Sequence, residues 1–293
     1  MSATPSLRAL ALLARVLPAR TDGPLSGVAA GIARLLAPER HAGARANAAA
    51  LFPDASAERL GARAGAAYAR FLIEYLRELG RGHPDDPARN ELEVGSGVRE
   101  ALAGGRGMVM CTLHLGNWEM GARALHRFGR PLRIVAEPQY ARAWRDEVVR
   151  SKRATGMEVV SPSESPRALV RFLRDGGILG LLVDGAGFAR GTAARLAGHD
   201  VLLPAGPARL TALSGAVLTG GTCLRVAPDR FRTAIGPLAG TEIGPVTDVD
   251  RLHAAMARWL EQLLLAHPGE WCIFRRFFDA APLPTAAPAW RTA

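Results

Sequence analysis

The sequence predicts an α/β fold, with a mostly parallel mixed sheet flanked by helices and a helical N-terminal extension. Three observations lead there. From residue 107 onward, short apolar runs alternate with helix-patterned segments, the order that builds parallel strands joined by crossover helices. Ahead of residue 88 the apolar spacing is helical only. Hydrophobic residues make up 48% of 293, enough to cover both faces of such a sheet.

Each element has its own local reason. Over 7–17, the pattern Leu7, Leu10, Leu12, Leu13, Val16 and Leu17 with Arg8 and Arg15 interleaved suits either an interfacial amphipathic helix or one packed on the core. A turn over 18–24 and short helices over 26–36 and 45–52 follow, the last broken by Phe52-Pro53-Asp54. Ser56 is a good N-cap for a helix over 57–80, whose stripe is Leu60, Ala64, Ala67, Phe71, Tyr75 and Leu79. A Pro-rich loop over 83–87 closes this extension, assigned to residues 1–88. Strands are expected over 107–113, 132–136, 157–160, 178–183, 216–222 and 231–235. Helices are expected over 118–128, 141–155, 166–175, 204–214 and 250–266. The core then spans 89–281, and a polar tail occupies 282–293.

The charge balance, 37 Lys+Arg against 27 Asp+Glu, gives +10 and favours anionic partners. The basic residues are scattered and carry no zinc-finger or RNA-binding pattern, which argues against nucleic acid. An anionic membrane surface, where each Lys or Arg contributes about 1 kcal/mol, or an acidic carrier protein fits better. Cys111, Cys223 and Cys272 are far apart in apolar surroundings, so no metal cage and no disulfide framework is expected. No apolar run reaches the roughly 18–20 residues that a bilayer crossing requires. A peripheral position at the cytoplasmic face of the inner (plasma) membrane is therefore expected.

Chemistry concentrates in His114-Leu115-Gly116-Asn117-Trp118-Glu119. A histidine at a strand end, a turn through Gly116 and Asn117, and Glu119 in the first turn of a helix would bring a carboxylate back toward the imidazole. Such a pair can act as a general base, the acid fixing the tautomer and stabilising the imidazolium. On spacing alone, a structural histidine with a surface glutamate reads equally well. Asp184 follows another strand, and ligands of open α/β sheets sit beyond such strand ends. Neither a serine elbow nor a second histidine at metal spacing accompanies the segment, so no bound cofactor or metal is expected.

The segment 114–119 resembles the motif of the late lipid A acyltransferases within the lysophospholipid acyltransferase family. Four other stretches are similar to that family and stand in its order. They are Asn47 to Pro53 with the helix that follows, Leu182-Val183-Asp184-Gly185, Leu203-Pro204-Ala205-Gly206-Pro207-Ala208, and His267-Pro268-Gly269-Glu270-Trp271 through Arg276. The resemblance implies a glycerol-3-phosphate acyltransferase-like fold. It also implies transfer of a fatty acyl group from acyl-CoA or an acyl carrier protein to a hydroxyl of a membrane glycolipid, lipid A-like or lysophospholipid acceptor. It makes His114 the base and Glu119 its orienting partner. It places Asn117, Arg150 or Arg153, and Asp184 at the substrate.

Departures from the family pattern occur at Ala186, at Leu196-Ala197 before Gly198, and at Val217-Leu218 after Ala216. They bear on acceptor recognition rather than on the His–Glu pair. Within the class, a phosphatidylinositol mannoside-type acyltransferase is the second reading. Outside it stand a non-catalytic lipid-binding homologue and a hydrolase in which water replaces the acceptor.

Overall fold

The computed structural model of the chain describes residues 5–79, 85–136, 142–185 and 191–279. Part of the loop over 83–87, position Ala186 and the tail from Pro282 lie outside them. The N-terminal layer consists of α1 (Pro5–Val16), α2 (Asp22–Leu36), α3 (Pro38–Leu51) and α4 (Ala57–Glu78). As expected, the Ser56 hydroxyl caps α4, accepting from the Arg59 backbone N–H at 3.3 Å. Helices α2 and α3 start earlier than the apolar spacing suggests. Each holds its proline in the first turn, where the missing N–H costs nothing.

The α/β part runs β1 (Asn90–Val94), α5 (Ser96–Ala103), β2 (Met108–Thr112), α6 (Trp118–Ala124), β3 (Leu132–Val135), α7 (Arg142–Ala154) and β4 (Met157–Val160). It continues through α8 (Pro166–Arg174), β5 (Ile178–Leu182), β6 (Thr192–Leu196), β7 (His199–Leu203), α9 (Gly206–Ser214), β8 (Val217–Ala227), β9 (Arg230–Pro237) and α10 (Val249–Ala266). Seven strands form one sheet in the order β1-β9-β8-β2-β5-β3-β4. Every pairing in it is parallel except the β8–β9 hairpin, so the fold is the expected mostly parallel mixed sheet.

Strand alternation divides the core between the two faces. Val109, Cys111 and Leu113 pack with Leu173 of α8, Leu210 of α9, and Leu252, Met256 and Leu260 of α10. Met108 and Met110 pack on the other side with Val98 and Leu102 of α5 and with Leu125. Both faces are covered, which is why the central strands read as unbroken apolar runs. Cys111, Cys223 and Cys272 are free and buried, and burial pushes the Cys111 and Cys223 thiols up to about 12.

Four elements escape the sequence pattern. Strand β1 is the sheet edge, and its Glu91 and Glu93 give it the polar character by which edges avoid further pairing. The α5 helix after it, only eight residues long, falls below the length at which periodicity is decisive. Strands β6 and β7 form a separate antiparallel hairpin around Ala197 and Gly198, both with positive φ (48° and 82°). That turn type favours Asn-Gly, and an alanine in its first position conceals it.

The helical layer is held by a buried ion pair. Arg77 on α4 grips Asp22 on α2 through both terminal nitrogens at 2.7 and 2.8 Å, while its Nε donates to the Ala14 carbonyl on α1 at 2.9 Å. Asp22 is fully buried. Arg77→Leu would leave that carboxylate uncompensated and should cost about 3–5 kcal/mol. The companion Arg77→Leu/Asp22→Leu variant should recover most of the loss in urea unfolding. Equal losses in both variants would mean that packing, not charge, ties these helices together.

Candidate active site

The β2–β5 register builds the centre. Thr112 pairs with Leu182, and the Val183 N–H donates to the Thr112 carbonyl at 2.9 Å. His114 and Asp184 each lie two residues beyond that pair, so they meet side by side at the carboxyl ends of adjacent strands. His114 Nδ1 stands 2.8 Å from Asp184 Oδ1, and the His114 backbone N–H donates to Oδ2 at 2.9 Å. The Trp271 indole N–H donates to the same Oδ2 at 2.8 Å. Asp184 has no exposure to solvent, whereas the His114 side chain is 28% exposed.

The electrostatics follow from this arrangement. Burial pushes the Asp184 carboxyl up, but the charge of His114 and the hydrogen bonds from His114 and Trp271 outweigh it, so the carboxyl is held below its ordinary value. An ionised carboxylate only accepts, so His114 carries its proton on Nδ1 and presents Nε2 as the free base. Burial also pushes His114 down. The charge and hydrogen bond of Asp184, joined by the charge of Glu119, more than offset this and raise the imidazole above its ordinary value.

The carboxylate that meets the His114 ring is Asp184, and Glu119, which the sequence pairs with that histidine, is turned to another partner. Glu119 is buried in the first turn of α6 and accepts a hydrogen bond from Lys152 Nζ at 2.6 Å. It acts on His114 through its charge. Arg150 and Arg153 lie on the exposed side of α7, and the α7 cation that meets Glu119 is the buried Lys152. The sequence carried a signal for it. Val148, Ser151, Lys152 and Thr155 are all buried at the i, i+3, i+4, i+7 spacing of an inward face.

Asn117 lies within the turn that joins β2 to α6. It is buried as the N-cap of α6, its Oδ1 accepting from the Met120 N–H at 3.1 Å and its Nδ2 donating to Glu74 at 2.9 Å. Glu74 on α4 in turn accepts from Arg225 on β8 at 2.7 Å. Gly116 makes the turn possible. Its φ is +66°, and a Cβ there would lie 2.3 Å from the Cys223 carbonyl oxygen. Trp118 stacks on Phe71 of α4 with ring centroids 3.7 Å apart and meets His114 edge-on at 5.0 Å.

The C-terminal segment crosses these strand ends. The Cys272 N–H donates to the His114 carbonyl at 2.7 Å, and Arg275 Nη2 donates to the Asp184 and Gly185 carbonyls at 3.2 and 3.0 Å. Asn47 on α3 fastens the segment in turn. Its Nδ2 donates to the Ile273 and Arg275 carbonyls, and its Oδ1 accepts from the Phe277 N–H at 2.7 Å. Among the described residues no cluster of His, Cys, Asp or Glu could hold a metal ion.

A buried carboxylate behind an imidazole, at the ligand-binding end of a sheet, is suited to taking a proton from a hydroxyl. The chain is an acyltransferase of the α/β type. It belongs to the bacterial lipid A biosynthesis acyltransferase family, whose sequence model matches residues 7–279. It is also similar to a phosphatidylinositol mannoside acyltransferase of Mycolicibacterium smegmatis, 26% identical over 211 residues that cover 70% of this chain and 68% of the relative.

In Asp184→Asn the charge that raises His114 is gone and burial remains. The imidazole should then titrate at lower pH than in the wild type, as read from its ring C–H resonances in NMR. An unchanged titration would show that another group governs His114.

Proposed function

We propose that this chain transfers a fatty acyl group from acyl-CoA or an acyl carrier protein to a hydroxyl of a membrane glycolipid, with His114 as the general base. The observation that carries the reading is the His114 Nδ1 bond to the buried Asp184, which leaves Nε2 for the acceptor. The acceptor oxygen attacks the thioester carbonyl carbon as its proton passes to Nε2. The tetrahedral intermediate then collapses, the C–S bond breaks, and the departing thiolate takes the proton from His114. No acyl-enzyme is needed. Asp184 orients the imidazole and stabilises the imidazolium. Glu119, held by Lys152, adds to the imidazole's basicity. The departures at Ala186, Leu196-Ala197 and Val217-Leu218, together with the name of the mycolicibacterial relative, support a glycolipid of the mannosylated phosphoinositide kind over a lipid A precursor.

Labelled acyl-CoA or acyl carrier protein incubated with extracted membrane lipids, followed by mass analysis, tests the reading. His114→Ala should lower formation of the acylated lipid by roughly 10²–10⁴-fold. The same product at the same rate from both proteins would sink the mechanism. Free fatty acid released at a rate indifferent to added lipid would instead make the chain a hydrolase. Because the base must be neutral, the wild-type rate should rise with pH through the raised His114 value, and in Asp184→Asn that rise should move to lower pH.

The N-terminal helices are where we place the membrane. No described helix is long and apolar enough to cross one. Yet Leu10, Leu12, Leu13 and Val16 of α1 and Leu25, Val28, Ile32, Leu35 and Leu36 of α2 are exposed, Val16, Leu35 and Leu36 to 78–80%. These nine residues are most of the exposed large apolar side chains among the described residues, a concentration that marks an interaction surface. Leu35→Asp/Leu36→Asp should reduce co-sedimentation with anionic vesicles, and high salt should reduce that of the wild type by screening its +10 charge. Undiminished sedimentation of the double variant would place the contact elsewhere.

A further inference from the structure

A concavity outside the His114 centre is lined from the α1–α2 turn, from α2 and α4, and from the β8–β9 end. It is an open depression of about 330 Å³ between Arg20, Gly23, Arg70, Arg225, Val226 and Pro228. None of His114, Asp184, Glu119 or Lys152 lines it.

Its charge is not balanced from within. Glu74 is already engaged by Arg225 through Nε and Nη2 and by Asn117, and Asp229, next to Pro228, accepts from Arg89. Asp22 is held by both terminal nitrogens of Arg77. Arg70 is ion-paired with Glu74 at 3.6 Å without a hydrogen bond, and its buried Nε has no hydrogen-bond partner among the described residues. Burial, and then the like charge of Arg225, lower the proton affinity of Arg70, while Glu74, Asp22 and Glu270 act the other way as charges only. Arg20 is exposed on the turn between α1 and α2. Three guanidinium groups around one opening, one with an idle buried donor, match the forked, charge-assisted recognition of a phosphate.

We propose that Arg20, Arg70 and Arg225 bind the phosphate group of an anionic phospholipid. The neighbouring surface argues for a lipid over a soluble phosphate. Val226 on the rim is 55% exposed, and the exposed stripe Leu25, Val28, Ile32 and Leu35 begins two residues after Gly23. A headgroup in the pocket would leave its acyl chains along that stripe. Such a site would seat the enzyme on the bilayer in one orientation, with the turn that carries His114 joined to the pocket through Glu74.

The test uses the full chain and vesicles of three parts phosphatidylcholine to one part phosphatidic acid. Arg20→Gln/Arg70→Gln should weaken binding by about tenfold. Arg99→Gln/Arg167→Gln removes the same charge from exposed positions away from the pocket and should change it by less than about twofold. Equal weakening by the two pairs would overturn the site in favour of diffuse attraction. Displacement of the protein from vesicles by millimolar inorganic phosphate would overturn the lipid as its source. Arg20→Glu, at an exposed position, keeps the question decidable if the Arg70 change impairs folding, and it too should weaken binding. His114→Ala should bind as the wild type does, so the outcome is independent of acyl transfer.

Discussion

A carboxylate with no access to water must be surrounded by donors, and the donors around Asp184 come from two distant parts of the chain. The His114 backbone and ring arrive from the end of β2, and the Trp271 indole arrives from the C-terminal segment. Arg275 grips the carbonyls of Asp184 and Gly185 from the same segment. That segment can lie there because Asn47 satisfies three of its backbone groups and because Gly43 on α3 has no Cβ to meet the Phe274 carbonyl oxygen, which would lie 2.0 Å away. The cost of desolvating one charge thus binds the sheet, the C-terminal segment and the helical layer into one arrangement.

Two further buried acids extend the same logic. Glu74 brings α4, β8 and the N-cap of α6 together through Arg225 and Asn117, and Glu119 joins α6 to α7 through Lys152. Buried ion pairs return little net stability once desolvation is counted, but breaking one is costly, so they select a single geometry. Here the geometry selected is that of the turn 114–119, whose position relative to the strand ends decides what Nε2 can reach.

Most of the fold was legible because its signals are local. The stripe on α4, its Ser56 cap and the apolar runs of β2, β3, β4 and β5 each depend on residues a few positions apart. Strand β1 and the β6–β7 hairpin were not legible. An edge strand shows the polarity of its exposed side, and a left-handed alanine is paid for by contacts that only the folded chain supplies. The site divides the same way. His114 and Asp184 stood out as polar residues at the ends of apolar strands. Asn47, Trp271 and Arg275 lie in stretches that resemble the family, but nothing near them or near Glu74 in sequence shows which carbonyl or carboxylate each will meet.

By itself the sequence determined the α/β class, the helical N-terminal layer, the strand-end position of His114 and the membership that the motif around it implies. It could not decide which acid serves that histidine. Glu119 is five residues away along the chain and was the natural choice, whereas Asp184 is seventy away. Only the parallel pairing of β2 with β5, with Thr112 opposite Leu182, brings Asp184 level with His114, and only the α6–α7 contact turns Glu119 to Lys152. Strand order and register are properties of the whole sheet, so the choice between two carboxylates rests with the tertiary structure.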